Sequence, residues 1–208
     1  MKLLANTTSP FVRITRMSLI EKGFDIEPTI VDPWADDPRL RAANAATRVP
    51  ALVLDDGTPL TESLLIVQWL EVVRPAPDWP RLIGNTPQET AGILSRAGIA
   101  LGAIDASVHT IITRKVTAPV LFDETPVGLR RRRTMVEGME RLEALAKAMT
   151  PADPASTPPT LDQICAITLS DYQHFRYGDQ AWLPKTPALD ALASAMRVRP
   201  SVGTTLPR

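Results

Sequence analysis

The chain has one cysteine and two histidines among its 208 residues. One cysteine cannot close an intramolecular disulfide, and so few thiol and imidazole donors argue against a Cys/His metal centre. Net charge is also missing, because 23 Lys and Arg balance 23 Asp and Glu. No global field therefore favours a polynucleotide or an anionic membrane as partner. No stretch reads as the roughly 18–20 consecutive apolar residues of a bilayer span. The opening MKLLANTTSP carries one lysine and a three-residue apolar run, too short for a signal core. The expectation is a cytoplasmic protein without metal, nucleic-acid or membrane partners.

What remains is ordinary globular composition, 44% hydrophobic and 22% charged, with enough length for a sizeable core. Residues 2–5 read as a short apolar strand. The segment SPFVRITRMSLIEKG follows as a helix: Ser9 is a good N-cap, Pro10 suits the first helical position and Gly23 the stop. IEPTIV (26–31) reads as a second strand and DPRLRAANAA as a short helix. TRVPALVLDDGTPLTES (47–63) then places Pro50 at the mouth of an apolar strand, where its missing N–H breaks the ladder. A hairpin turn and a helix from about 62 to 74 follow, giving the order β-α-β-α-β-β-α.

Prolines at 75, 77, 80 and 87 mark a linker. Beyond it the periodicity is helical. Ile93, Ala97, Leu101, Ile104, Val108 and Ile111 form one stripe, and Met135, Met139, Leu142, Leu145 and Met149 another. Thr160 and Gln163 match a capping box ahead of a third helix, with Asp162 at its positive end. TPALDALASAMRV reads as a last helix. The boundaries expected are an α/β domain over 1–75, a linker over 76–86 and an all-α domain over 87–208. The run of four arginines at 130–133 reads as a solvated helix face, and Cys165 as an inert core thiol.

In this order, SPFVR, RVPAL, DDGTPLTESLLIVQWLE and the capped helix near 160 resemble the cytosolic glutathione transferases, in the serine-containing form of small bacterial members. The resemblance runs along essentially the whole chain. It implies a thioredoxin-like N-terminal domain, a helical C-terminal domain, pairing as a homodimer and a role in detoxification. It further implies that the Val49–Pro50 bond is cis and that the Val49 N–H and C=O face outward, where the cysteinyl backbone of glutathione adds as a strand segment. Glu62 would meet the ligand's ammonium, and Ser63 with its helix N-terminus the γ-glutamyl carboxylate; read alone, the pair is simple helix capping. Arg48 is a candidate partner for the glycyl carboxylate, and Trp34 a weaker one.

The same resemblance implies that Ser9 stabilises the glutathione thiolate, with Thr7 and Thr8 as possible assisting hydroxyls. A serine forms no disulfide, so the expected chemistry is conjugation of glutathione, as co-substrate, to a small hydrophobic electrophile. Ile104, Val108 and Ile111 are candidates for the electrophile pocket, although such a stripe is also what a core looks like. The alternatives are a non-catalytic glutathione- or ligand-binding or regulatory protein of the same fold, and a glutathione-dependent isomerase or dehalogenase.

Overall fold

The structure is a computed structural model that describes residues 1–208. It divides into two compact units, Met1–Leu82 with Arg197–Arg208, and Ile83–Met196. In the first, β1 (Lys2–Ala5), α1 (Pro10–Glu21), β2 (Thr29–Ile30), α2 (Pro38–Ala43), β3 (Ala51–Val53), β4 (Pro59–Thr61) and α3 (Ser63–Val73) follow in the expected order. The sheet order is β2-β1-β3-β4, with β1 parallel to β2 and antiparallel to β3.

Alternation along the strands feeds two cores. Leu3, Ala5 and Leu52 join Val12 and Leu19 of α1 and Ile66 and Leu70 of α3. Leu4 and Ala51 point to the other face, with Leu40 of α2 and with Val31, which follows β2. A one-residue slip would exchange these sets, so the pattern fixes the register.

The proline-rich stretch is not a free linker. Leu82 is fully buried, and Trp79 lies against Gly23, whose φ of +71° and contact with the indole leave no room for a side chain. Arg74 stacks on the rings of Phe24 and Trp79. At the other end of the chain, the structure returns residues 197–208 to the first unit, whereas the sequence reading extends the helical domain to 208. The short α8 (Pro200–Gly203) follows Arg199, whose guanidinium forks onto Glu21 of α1 at 2.7 and 2.9 Å while Ser201 Oγ donates to the same carboxylate.

The second unit is helical: α4 (Pro87–Thr117), α5 (Pro126–Met149), α6 (Leu161–Tyr177) and α7 (Pro187–Met196). Contrary to the reading above, α4 is long and apolar enough, by length and composition, to cross a membrane. Here its buried stripe packs against α5 and α6. Gly138 lets α5 approach closely, for a β-carbon there would come within 2.8 Å of the Ala103 methyl. The capping box at α6 forms, Gln163 accepting the Thr160 N–H at 2.7 Å. Asp162 also takes a 2.6 Å bond from Arg96 of α4.

The arginine run is only half solvated. Arg130 and Arg133 are exposed, but Arg131 donates to Thr113 and covers Phe122, and Arg132 reaches Glu124 and the Trp182 ring. The short 3-10 turn Phe122–Glu124 supplies partners that helical periodicity does not reveal.

Cys165 has no exposed surface, and burial pushes its thiol pKa up, in line with an inert core thiol. Maleimide labelling of the native protein is therefore expected to run at least about a thousandfold slower than in urea, because reaction must wait for opening. Rapid native labelling would contradict this packing.

Candidate functional site

Register brings the chemistry-bearing segments together. Leu4 pairs with Ala51, and Ala51 with Thr61. The end of β1, the start of β3 and the end of β4 therefore lie side by side at one edge of the sheet. Ser9 follows the first, Val49 and Pro50 precede the second, and Glu62 and Ser63 follow the third.

Three hydroxyls crowd the turn into α1, and their hydrogen bonds separate them. Thr8 gives both its N–H and its Oγ1 hydrogen to Asn6 Oδ1, at 2.9 and 2.8 Å. Thr7 donates its hydroxyl to the Arg208 carbonyl at 2.9 Å. Ser9 caps α1 by accepting from the Val12 N–H at 3.3 Å. An accepted bond leaves the Ser9 hydrogen uncommitted. Ser9 alone of the three has a hydroxyl hydrogen to give, at the positive end of a 12-residue helix.

The Val49–Pro50 bond is cis, as the resemblance implied. Neither the Val49 N–H nor its C=O has a hydrogen-bond partner in the chain, so a short main-chain rim stands open beside β3. The preceding loop is held by Asn44, a residue sequence reasoning missed. Asn44 is nearly buried; its side chain accepts from the Ala46 N–H at 2.9 Å and donates to the Arg48 carbonyl at 2.7 Å. The only signal in the sequence is an asparagine just past a helix end.

Glu62 occupies φ +64°, ψ +122°, outside the small left-handed basin open to ordinary side chains. It makes no side-chain cap to α3. The first intrahelical bond of α3 runs from Ile66 to Glu62, so the N–H groups of Ser63, Leu64 and Leu65 have no helical acceptor. Ser63 is 5% exposed and places its hydroxyl beside them. The simple capping reading of Glu62 therefore does not hold: the residue is strained and leaves the helix end uncovered.

Arg48 donates to Glu62 at 3.3 Å, with both side chains more than half exposed. The structure thus pairs two groups that the resemblance assigns to opposite ends of a ligand. Trp34 stands in the loop after β2, 55% exposed, without a placement that adds to its case. Arg13, a helical turn beyond Ser9, is 4% exposed, and its Nε donates to the Thr205 hydroxyl at 3.5 Å.

The electrophile candidates belong to the second unit. Ile104 has no exposed surface and is core, not lining. Ile111 packs against the cluster of Ala106, Met135 and Tyr177. Val108 and Ile111 both keep partial exposure. No group of three or more His, Cys, Asp or Glu side chains is placed to hold a metal ion.

A four-stranded mixed sheet with a cis-proline rim and a neighbouring uncapped helix start, followed by a helical unit, defines a thioredoxin-like domain joined to an all-α domain. Residues 8–73 match the family model described as glutathione S-transferase, N-terminal domain. The uncharacterized GST-like protein YibF of Escherichia coli K12 is 27% identical over 207 residues, covering 100% of this chain and 98% of that protein. A glutathione S-transferase from Methylobacterium radiotolerans in complex with glutathione sulfonate superposes with a TM-score of 0.84 at 27% identity, over 99% of this chain and 94% of the other. A glutathione transferase family member from Pseudomonas fluorescens Pf-5 with bound glutathione gives a TM-score of 0.80 at 26% identity, over 100% and 98%. Residues 8–73 are thus a glutathione S-transferase N-terminal domain, and the chain as a whole has the glutathione S-transferase fold.

Proposed function

We propose that this protein binds glutathione along the Val49 rim and conjugates its thiolate to a small hydrophobic electrophile. The observation that carries the reading is the single uncommitted hydroxyl hydrogen, that of Ser9, at the N-terminus of α1 and at the same sheet edge as the rim. The relatives that bind glutathione or its sulfonate support it. The γ-glutamyl carboxylate takes the free N–H groups of α3 and the Ser63 hydroxyl, and Glu62 takes the ammonium. Arg48 leaves Glu62 and turns to the glycyl carboxylate.

Ser9 donates to the sulfur, and the helix dipole adds to the effect, so the thiol loses its proton to solvent near neutral pH. The thiolate lone pair then forms the new carbon–sulfur bond, and the electrophile's leaving group departs with the electrons of the broken one. Lowering the thiol pKa from about 8.5 to about 6.5 raises the thiolate fraction at pH 7 some 25-fold. A Brønsted slope of about 0.4–0.5 returns nearly tenfold of that. The remaining acceleration comes from positioning the electrophile, for which the partly exposed Val108 and Ile111 stay candidates.

The protein is cytoplasmic in this reading, acts in detoxification and pairs as a homodimer. The outward face of α3, with Leu65 54% and Val72 76% exposed, favours pairing. The test is conjugation to a generic aromatic electrophile across pH. Ser9→Ala should move the thiolate titration about one to two units alkaline and, because nucleophilicity rises as the thiolate fraction falls, lower kcat/KM at pH 7 by no more than about fourfold. Thr8→Val should leave the titration in place. An unmoved titration in Ser9→Ala, or one that moves in Thr8→Val, removes Ser9 from its role. Binding without Ser9-dependent turnover would leave a carrier rather than an enzyme.

A further inference from the structure

The geometry points to Asn44 as a positioning residue that aims the Val49 N–H at the ligand. This rests on the reading of Val49 as the main-chain partner of glutathione and extends it to a residue that has no place for ligand contact. Asn44 is 8% exposed, and the loop takes up its polar groups on both sides. Its N–H closes α2 onto Leu40 at 2.8 Å, and its carbonyl accepts from Thr47 at 2.8 Å. Its side-chain oxygen takes the Ala46 N–H, and its side-chain nitrogen donates to the Arg48 carbonyl. Residues 44–48 are thereby wound into a tight loop that carries Thr47 at φ +49°.

The consequence lies one bond further on. The peptide unit between Arg48 and Val49 is not among the cis bonds of this chain, and a planar trans unit holds its C=O and N–H antiparallel. Fixing the Arg48 carbonyl on the Asn44 amide, inside the loop, directs the Val49 N–H to the opposite side. That N–H has no acceptor in the chain, so it is presented to whatever lies along the rim. An N–H set in advance loses less freedom when the ligand arrives. Without the Asn44 donor the unit is free to rotate, and the Val49 N–H is no longer held toward the ligand.

The test is calorimetry on wild type, Asn44→Ala and Asn44→Asp. The aspartate keeps the acceptor for the Ala46 N–H and lacks the donor for the Arg48 carbonyl. Two ligands are compared: reduced glutathione, and γ-glutamylmethylamide at millimolar concentration, which carries the ammonium–carboxylate head but no cysteinyl carbonyl. Loss of one well-aligned main-chain hydrogen bond should weaken glutathione about tenfold in both variants. The fragment should hold its affinity within about twofold, since its contacts lie at α3.

Equal weakening of both ligands would mean that Asn44 only holds the fold, and wild-type affinity in Asn44→Asp would mean that the donor aims nothing; either overturns the inference while leaving the rim intact. A wild type that binds glutathione no better than the fragment overturns the rim itself and, with it, the role of Asn44.

Discussion

Glu62→Gly is expected to make the protein more stable and nearly unable to bind glutathione. The backbone at Glu62, φ +64° and ψ +122°, costs an ordinary residue about 1–3 kcal/mol. Glycine largely escapes that cost but gives back about 0.4–1 kcal/mol through the freer unfolded chain. The side chain itself contributes little to the fold. It does not cap α3, and its pair with Arg48 is long and exposed, the kind that adds about 0–1 kcal/mol. The balance is a gain on the order of 1 kcal/mol, read as a higher urea midpoint at unchanged slope.

Binding should move the other way. Losing a charge-assisted partner of the ammonium costs about 1.5–3 kcal/mol, or roughly ten- to a hundredfold in affinity. Glu62→Ala separates the two effects: it keeps a β-carbon at the strained position, so it should lose the affinity without the gain in stability. A glycine variant that is less stable and binds normally would show that the strain serves no ligand.

The largest loss of stability is expected at Lys22, a charge with no exposed surface. Its ammonium lies 2.9 Å from Glu71 and donates to the Arg74 carbonyl at 2.9 Å, joining the end of α1 to the end of α3. Glu71 in turn accepts from the Leu82 N–H at 2.9 Å, which fastens the proline-rich segment. Lys22→Met leaves a nearly buried carboxylate without its cation, a change that typically costs about 3–5 kcal/mol. Adding Glu71→Gln removes that charge and keeps an acceptor for Leu82. The double variant should therefore recover about 1–2 kcal/mol over Lys22→Met. Additive losses in a urea-unfolding cycle would mean that the pair is not coupled.

Much of the first unit was legible because local signals agreed with one another. Ser9, Pro10 and Gly23 bracket α1 within a residue or two, and the alternation of Leu3, Leu4 and Ala5 divides between two cores. The second strand, expected over 26–31, narrows to Thr29–Ile30, since Pro28 brings no N–H to an edge strand. The short helix expected over 37–46 stops at Ala43, where Asn44 leaves the helix and turns its side chain to the following loop. The return of the tail was not legible, because Glu21 finds Arg199 178 residues further on and no local pattern reports such a distance.

The residues singled out in the sequence gather at one edge of the sheet, but the sequence does not separate the roles they would play there. TTS supplies three equivalent hydroxyls to a reader; Asn6 and the Arg208 carbonyl distinguish them by engaging two. The helical stripe of α4 shows where apolar residues recur but not which way each faces, and Ile104 turned out to be core.

In the proposed complex, reduced glutathione lies along Val49 with its amino-acid head at the start of α3. The most direct measurement is a titration of the isotope-labelled protein with reduced glutathione, followed through the backbone amide resonances. The Val49, Ser63 and Leu64 amides should move together and saturate at one ligand per chain. A folded protein in which these three stay still while glutathione is added to excess would contradict the account.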